Sequence, residues 1–314
     1  MNKVSIIIPV YNTQAQIDRC LKSIVNQTYK NIETIVINDN STDDSEEIIL
    51  KYVNQYPNLF SYYKKENNTG LADTRNYGLT KASGDYVLFV DSDDYIDDDL
   101  IENLKKYMEK GIEVIKFKAN IVNGKTTIID GPVFQETDGQ TAFDLLVFDD
   151  IMLDSACIYL FKRDIFVKKN FKFCSGAYHE DFGVVPLIVV SAKNVVSTNI
   201  IGYYYVQTNN SITRNDDYQK TIKRWEDSLL HYDNMLQYIR KFSLRKKTEE
   251  NVKIYYTNAI LLKLKSIHKE DRKEYIQQIK QRNMIKNIKV RDVRQLVKRV
   301  ILSININLYL KLLK

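Results

Sequence analysis

The chain has 314 residues, 44% hydrophobic and 27% charged, as in a soluble globular protein with one large or two ordinary domains. Its net charge of +6 is mild but uneven, because residues 91–99 contain six Asp and no Lys or Arg. Three cysteines, far apart and odd in number, argue against a disulfide framework or a zinc site and favour a cytosolic protein. We expect no signal peptide, since a strand pattern begins at Val4, and no apolar run is long enough to span a membrane.

Strands and helices alternate over the first part of the chain. Apolar runs predict strands at residues 4–10, 32–37, 60–63 and 86–90, and apolar residues at helical spacing predict helices between them. This alternation is typical of a parallel, doubly wound α/β sheet. Three of these strands end in polar loops, which would meet at the edge of the sheet where such folds bind ligands.

The pattern changes after residue 94. It predicts a helix from Leu100 to near Gly111, a hairpin around Asn123-Gly124, a short helix at 143–147, and strands at 157–161 and 200–206. Residues 184–190 fit a buried helix or a strand, and the acidic residues before them favour a helix start. From about residue 216 the chain predicts helices only. We therefore expect a domain at 1–215, with halves at 1–95 and 96–215, and a helical extension at 216–314.

Acidic residues directly follow the predicted strand at 86–90. Asp91, Asp93 and Asp94 would repel one another at the end of a buried strand unless a cation lies among them. Divalent cations such as Mg²⁺ prefer oxygen ligands of this kind and bind phosphates as well. The sequence therefore predicts a metal that in turn holds a diphosphate. A purely structural acidic turn is the alternative, and Asp94 is better explained as a turn residue than as a ligand.

Four segments together resemble a known family. They are residues 4–12 (VSIIIPVYN), 38–43 (NDNSTD), 68–76 (NTGLADTRN) and 91–93 (DSD). Each is weak alone, but their order and spacing are similar to those of the glycosyltransferase family 2 catalytic domain, which has the GT-A fold. The resemblance covers residues 1–95 and extends to about 215. It implies a mostly parallel central sheet flanked by helices, and inverting transfer of a sugar from a nucleotide-sugar.

The resemblance implies that the loops after the first two strands bind the nucleotide. Pro9, Tyr11 and Asn12 would line its base and ribose, and an aromatic ring is available to pack against uracil. Asp39 would accept a hydrogen bond from the uracil N–H; the alternative is that it only caps a helix. The family usually has Asp-Asp-Gly here, whereas this chain has Asn on both sides of Asp39. Because Asn40 tolerates positive φ, we expect the turn to form.

The resemblance also assigns residues to the diphosphate and metal. Asp93 would ligate Mn²⁺ or Mg²⁺, while Asp91 would contact the ribose or reach the metal through a water, with Ser92 between them in the nucleotide-sugar site. Arg75, about one helical turn after the glycine of the third segment, would face the nucleotide. The alternative for Arg75 is a surface salt bridge to Asp73.

An inverting transfer needs a carboxylate near the acceptor hydroxyl, ionised at the working pH. The segment Tyr178-His179-Glu180-Asp181 is similar to the Glu-Asp motif of the family, so Asp181 is the expected base and Glu180 an acceptor or supporting contact. The alternative is that both acids only favour a helix N-terminus. Arg214 is a further candidate, for contact with the phosphates, while the tyrosines at 203–205 are better explained as packing residues.

The last apolar stripe, from Val290 to Ile304, is flanked by four basic residues: Arg291, Arg294, Lys298 and Arg299. A basic amphipathic helix of this kind can lie on an anionic membrane surface. An ordinary helix with a solvated basic face explains the pattern equally well. Nucleic acid is a poorer explanation, because no aromatic residues are interleaved with the charges.

These observations predict a metal-dependent, inverting glycosyltransferase that uses a UDP-sugar. Its acceptor would be a cell-surface glycan precursor such as capsule, teichoic acid or lipid-linked oligosaccharide, and its location the cytoplasm or the inner face of the membrane. One alternative is a nucleotide-sugar-binding scaffold subunit without turnover. Another is a sugar-phosphate nucleotidyltransferase, which would need a Gly-rich, basic phosphate loop where this chain has Tyr11-Asn12-Thr13-Gln14. The sequence does not specify the sugar, the linkage or the oligomeric state.

Overall fold

The structure is a computed structural model that describes residues 1–123, 125–150, 153–207 and 217–288, together with residues 300, 301, 306 and 308. The chain divides into two compact units, Met1–Ser211 and Ile212–Lys314. The first unit contains the sheet, and the second unit, where it is described, is helical.

The sheet of the first unit begins with four parallel strands in the order β3-β2-β1-β4. β1 and β4 are buried along their whole length, which explains why their sequences are continuous apolar runs rather than alternating ones. The predicted doubly wound arrangement is therefore present in this half. The strands of the described sheet are β1 (Val4–Val10), β2 (Ile32–Asn38), β3 (Phe60–Lys64), β4 (Tyr86–Phe89), β5 (Tyr95–Ile96), β6 (Val114–Val122), β7 (Thr126–Ile129), β8 (Phe134–Thr137), β9 (Tyr159–Lys162) and β10 (Val195–Val206).

The second half of the sheet is mixed. β9 pairs antiparallel with both β4 and β6, while β10 runs parallel to β6. The three shorter strands, β5, β7 and β8, all pair antiparallel at the margins. The predicted hairpin is the β6–β7 pair, and Gly124 of its turn lies outside the described residues. The expected α/β fold is confirmed, but the parallel arrangement is limited to the first four strands and to the β6–β10 pair.

Seven of the described helices belong to the first unit with the sheet, and three belong to the second unit. Residues 184–190, for which the sequence allowed a helix or a strand, belong to a helix, α7 (Glu180–Ser191). The apolar run from Val184 to Val190 is buried. The described helices are α1 (Ile17–Val25), α2 (Ser45–Gln55), α3 (Leu71–Lys81), α4 (Leu100–Glu109), α5 (Gly139–Leu146), α6 (Asp164–Lys169), α7 (Glu180–Ser191), α8 (Tyr218–Ile239), α9 (Lys246–Lys263) and α10 (Arg272–Gln281). Short 3₁₀ turns span Ala156–Ile158, Leu264–Ser266 and Met284–Asn287.

The second unit packs around Trp225 of α8. The Trp225 ring is buried, its indole N–H donates to the carbonyl oxygen of Ile260 in α9 at 3.2 Å, and Tyr275 of α10 lies edge-on at 4.7 Å. Trp225 thus connects three helices, and the prediction that this part of the chain is helical is confirmed for the described residues. Most of the basic stripe at 290–304 lies outside the described residues. Within the described part of the chain, no helix combines the length and hydropathy that a membrane crossing requires.

Candidate active site

Three loops meet at one edge of the sheet. β2, β1 and β4 are adjacent and parallel, with Val10 opposite Asn38 and Ile7 opposite Phe89. The loops that follow them therefore start side by side, which places Tyr11, Asp39 and Asp91 at the same carboxyl edge.

The loop after β1 is held against the loop after β2. The backbone N–H of Asn12 donates to the Ser41 hydroxyl at 3.1 Å, and the Asn12 side chain accepts from the backbone N–H of Thr42 at 2.8 Å. Asn12 adopts a positive φ of 51°. Tyr11 is exposed, so its ring is free to receive a planar ligand. Pro9 lies inside β1, which ends at Val10 as predicted.

Asp39 holds the start of α3 rather than the helix that follows it in sequence. Its carboxylate accepts from the backbone N–H groups of Thr69 at 3.0 Å and Gly70 at 2.8 Å, and pairs with Lys65 at 2.7 Å. These bonds place a buried, charged acceptor beside the loop of Tyr11. As expected, Asn40 takes a positive φ, of 62°. The contact between Asp39 and a nucleotide base stays a prediction.

The side chains of the acidic loop, residues 91–94, lie in different environments. Asp94 is buried, accepts from the Tyr203 hydroxyl at 2.5 Å and from the Val206 N–H at 2.7 Å, and so anchors the loop to β10. Burial and the neighbouring carboxylates raise the pKa of Asp94 to about 8. These contacts agree with the interpretation of Asp94 as a turn residue. The hydroxyl of Ser92 accepts from Thr13 at 3.1 Å, which ties the acidic loop to the loop after β1.

Asp93 has the opposite surroundings. Among the described residues its carboxylate forms no ion pair, and Arg19 donates to its backbone carbonyl instead. Burial and the charge of Asp91 raise the pKa of Asp93 to about 6, and the opposing charge of Arg19 offsets this only in part. Asp91 and Asp93 are the two acids of this loop whose side chains are partly exposed.

The residues present fit a metal that is shared with a ligand. No three His, Cys, Asp or Glu side chains within the described ranges are grouped to hold a metal ion alone. Asp91 and Asp93 offer only carboxylate oxygens, and Mg²⁺ is commonly bound by one or two carboxylates together with substrate phosphates. The unpaired charge of Asp93 therefore suits Mg²⁺ or Mn²⁺ arriving with a diphosphate.

The carboxylate pair, Glu180 and Asp181, opens α7 directly after His179, which has a positive φ of 57°. The side chain of Asp181 is 19% exposed, and one of its oxygens accepts from the Ala156 N–H at 3.0 Å. Burial raises the pKa of Asp181 to about 8, although Arg75 acts in the opposite direction. Burial raises the pKa of Glu180 as well. A carboxylate that is accessible and more basic than usual is suited to accept a proton.

Arg75 of α3 connects the acidic loop with the carboxylate pair. Its Nη2 donates to Asp91 at 2.8 Å, and its Nη1 donates to Glu180 at 2.8 Å and to Asp181. The expected alternative, a surface salt bridge from Arg75 to Asp73, is wrong, because Arg75 is buried and Asp73 accepts from the Ser175 hydroxyl instead. The predicted contact of Arg75 with a nucleotide stays untested.

Two side chains at the site were not expected from the sequence. The Cys157 thiol donates to Asp91 at 3.2 Å, and the Tyr203 hydroxyl accepts from the Asp91 backbone N–H at 3.2 Å. Both lie in segments predicted as strands, 157–161 and 200–206, but nothing in those patterns marks either side chain as part of the site. Arg214 lies outside the described residues.

Comparisons with known proteins agree with this geometry. The model of the family described as Glycosyl transferase family 2 matches residues 5–168. The chain is 32% identical over 235 residues to glycosyltransferase GlyA of Streptococcus pneumoniae, covering 68% of this chain and 32% of GlyA. It is 30% identical over 207 residues to the minor teichoic acid biosynthesis protein GgaB of Bacillus subtilis, covering 64% of this chain and 22% of GgaB. The chain thus spans less than a third of either relative.

Among solved structures, TarS of S. aureus in complex with UDP-GlcNAc superposes with a TM-score of 0.70 at 19% identity, covering 91% of this chain and 82% of that one. This likeness shows that the two proteins share the GT-A fold. Since the family model matches more than half of the sequence, the chain belongs to glycosyl transferase family 2.

Proposed function

We propose that this protein is an inverting, divalent-metal-dependent glycosyltransferase that moves a sugar from a UDP-sugar to a hydroxyl group of a glycan. The observation that carries the proposal is the position of Asp181. Through Arg75, this accessible carboxylate is held one side chain away from Asp91, at the edge where the three loops meet. The proposed base would therefore lie next to the proposed diphosphate site.

In the proposed reaction the acceptor hydroxyl attacks the anomeric carbon of the donor from the face opposite the diphosphate. Asp181 takes the hydroxyl proton, a new glycosidic bond forms, and the bond to the nucleoside diphosphate breaks with inversion. A divalent cation bound at Asp93 would take up charge on the leaving diphosphate. Asp91 and Ser92 would contact the donor, and Glu180 the acceptor.

Support for uridine comes from the loops after β1 and β2. The buried carboxylate of Asp39 can accept from the N3–H of uracil, and the exposed ring of Tyr11 can pack against the base. Pro9 and Asn12 would complete the lining of the base and ribose. TarS, which shares this fold, was solved with UDP-GlcNAc. The Asp39 carboxylate also forms an ion pair with Lys65, which holds it in place beside the loop of Tyr11.

We propose a cell-surface glycan precursor as the acceptor, in the class of capsule, teichoic acid or lipid-linked oligosaccharide. GgaB, to which part of this chain is similar, is a teichoic acid biosynthesis protein. The basic stripe at 290–304 would bring the enzyme to the inner face of an anionic membrane at about 1 kcal/mol per basic residue. Flotation of the full chain with anionic liposomes tests this, and equal recovery after replacing Arg291, Arg294, Lys298 and Arg299 with Gln would contradict it.

A nucleotidyltransferase and a binding subunit without turnover are the competing functions. The first is disfavoured by the loop after β1, which has neither glycine nor a basic residue at Tyr11-Asn12-Thr13-Gln14. The second gives no reason for a partly exposed base beside the donor site.

Release of nucleoside diphosphate from a panel of UDP-, GDP- and CDP-sugars, with Mg²⁺ or Mn²⁺ and candidate acceptors, tests the proposal. We expect release from a UDP-sugar, loss of release after chelation, and a product of inverted anomeric configuration by NMR. Retention of configuration would contradict the inverting mechanism, and full activity after chelation would contradict the metal. Release of pyrophosphate from a nucleoside triphosphate and a sugar phosphate would instead indicate a nucleotidyltransferase.

A further inference from the structure

We propose that Arg75 is a positioning residue that fixes the Asp181 carboxylate relative to the acidic loop, and that it is not a contact for the donor nucleotide. This inference rests on the proposed function, because it concerns the base of that reaction. It replaces the expectation, based on the family resemblance, that Arg75 faces the nucleotide.

The terminal nitrogens of Arg75 already have protein partners. Nη1 donates to both acids of the carboxylate pair, and Nη2 donates to Asp91 and lies 3.7 Å from the sulfur of Cys157. Nε is buried and has no hydrogen-bond partner. Because the Arg75 side chain is only 1% exposed, the guanidinium has almost no surface left for a nucleotide to contact.

The guanidinium is also held from the side. Its central carbon lies 5.8 Å from the ring centroid of Phe89 and 5.5 Å from that of Phe173, within the distance of a cation–π contact. Burial between aromatic rings leaves the planar group little freedom to rotate. Its two arms therefore keep fixed directions, one toward Asp91 and the other toward the carboxylate pair.

The helix that carries Arg75 is itself fastened to the segment before the base. Asn76, the next residue in α3, donates to the carbonyl of Phe173 at 2.8 Å and accepts from its N–H at 3.0 Å. Asp73 of the same helix accepts from the Ser175 hydroxyl at 2.8 Å. Since Asp39 holds the N-terminal end of α3, this single helix links the loop after β2, the acidic loop and the base.

The charges explain why a cation is needed at this point. Asp91, Glu180 and Asp181 are three carboxylates around one buried position, and without Arg75 they would repel one another. One oxygen of Asp181 is held by Arg75 and the other by the Ala156 N–H. With both oxygens fixed, the carboxylate has a set direction, and a lone pair left on its exposed side can accept the proton of the acceptor.

The test uses the full chain with Arg75→Lys and Arg75→Ala, and Arg163→Lys as a matched control. Arg163 is a half-buried arginine that donates to the Gly84 carbonyl at 2.8 Å, at the opposite end of β4 from the acidic loop. UDP affinity is measured by calorimetry with Mg²⁺, and kcat and KM by UDP release during transfer. Lys keeps the buried positive charge but cannot reach both acidic groups as a planar fork does.

We expect kcat of Arg75→Lys to fall about 100-fold, as for a misplaced catalytic group. UDP affinity and the KM of the donor should stay within about threefold of the native values, because the lost interaction is not a donor contact. Added guanidinium should raise the kcat of Arg75→Ala about tenfold, because it can occupy the position that the side chain vacates. Arg163→Lys should match the native chain in all these measurements.

Two results would overturn the positioning role while leaving the proposed function intact. One is a loss of UDP affinity in Arg75→Lys that accounts for the whole loss of kcat/KM. The other is a kcat of that variant close to native. Absence of transfer by the native chain would instead overturn the proposed function. If Arg75→Ala does not fold, Phe173→Leu takes its place in the test, because it removes a ring beside the guanidinium without changing a charge. That variant must lower kcat with unchanged UDP affinity for the proposal to stand.

Discussion

The acidic loop and the carboxylate pair are both clusters of acids at one edge of the sheet, yet their charges are balanced differently. In the carboxylate pair, Glu180 and Asp181 share the guanidinium of a buried arginine. In the acidic loop, Asp93 has no cationic side chain paired with it among the described residues, and its pKa is raised to about 6 by burial and by Asp91.

In our proposal, this difference separates a group whose charges are paired within the protein from one that an added metal ion would complete. The carboxylate pair has its cation supplied by the fold, so its geometry exists before any ligand binds. In the acidic loop Arg75 pairs with Asp91, and in our proposal a bound divalent cation would balance the charge of Asp93. We therefore expect metal removal to abolish donor binding while leaving the arrangement around Asp181 unchanged.

The largest expected effect is that of Asp93→Asn. Removing the charge that would hold the metal should lower kcat/KM about 1000-fold, since one strong interaction with the leaving group is lost. UDP affinity of the variant should no longer increase when Mg²⁺ is added, which calorimetry with and without the metal measures. Asp98→Asn is the matched control, because Asp98 is an exposed acid a few residues further along the chain. A metal-dependent rise in UDP affinity that persists in Asp93→Asn would contradict the assignment.

The next effect is the pH dependence of kcat/KM, which tests the carboxylate pair. Burial raises the pKa of Asp181 to about 8. Arg75 lowers this pKa, whereas Glu180 and Asp91 raise it. A base works in its ionised form, so activity should rise as pH rises through this value, about tenfold per pH unit below it. UDP release measured between pH 6 and pH 9 with Mg²⁺ checks this. A flat profile, or one that falls with rising pH, would show that Asp181 is not the group that titrates.

The smallest expected effect is a loss of stability when Glu33, a residue outside both acidic clusters, is replaced. Burial tends to raise the pKa of Glu33, but hydrogen bonds from Lys3, Ser5 and Ser83 outweigh it and lower the value to about 2. The ionised form is thus favoured in the folded state, so its contribution is present above pH 4.5 and is lost as pH falls toward 2. Glu33→Gln should lower the free energy of unfolding at pH 7 by about 2 kcal/mol.

Urea denaturation at several pH values measures this effect, with Glu109→Gln, an exposed acid of α4, as the control. The difference between the native chain and Glu33→Gln should shrink as the pH is lowered below 4.5, and transfer activity at pH 7 should be unchanged. A deficit that is constant with pH would mean that hydrogen bonding, and not ionisation, accounts for it.

The sequence was most informative where one local pattern determines one element. The apolar runs of β1, β2 and β4 identified the edge at which the loops meet, and the acids before residues 184–190 indicated the correct structure for α7. β5 and β8 were not predicted, because two and four residues are too short for a periodic pattern. Their pairing with β10 is determined by tertiary contacts.

The contacts of the site were less predictable than its residues. The family resemblance pointed to Asp91, Arg75 and Asp181 separately, but Arg75 and Asp181 are 106 residues apart, and no local signal pairs them. The resemblance implied that Arg75 faces the ligand, and a charged side chain is rarely buried without partners. The structure supplies three carboxylate partners from two distant segments, and only the folded chain brings them together.

The most direct test of the account is Asp181→Asn, with UDP affinity and transfer measured on the same preparation. Asn keeps the size of the side chain and a hydrogen-bond acceptor but cannot take a proton at neutral pH. We predict that the variant binds UDP with Mg²⁺ as tightly as the native chain does, while kcat falls about 1000-fold. Transfer at the native rate by Asp181→Asn would contradict the assignment of the base and, with it, the proposed mechanism.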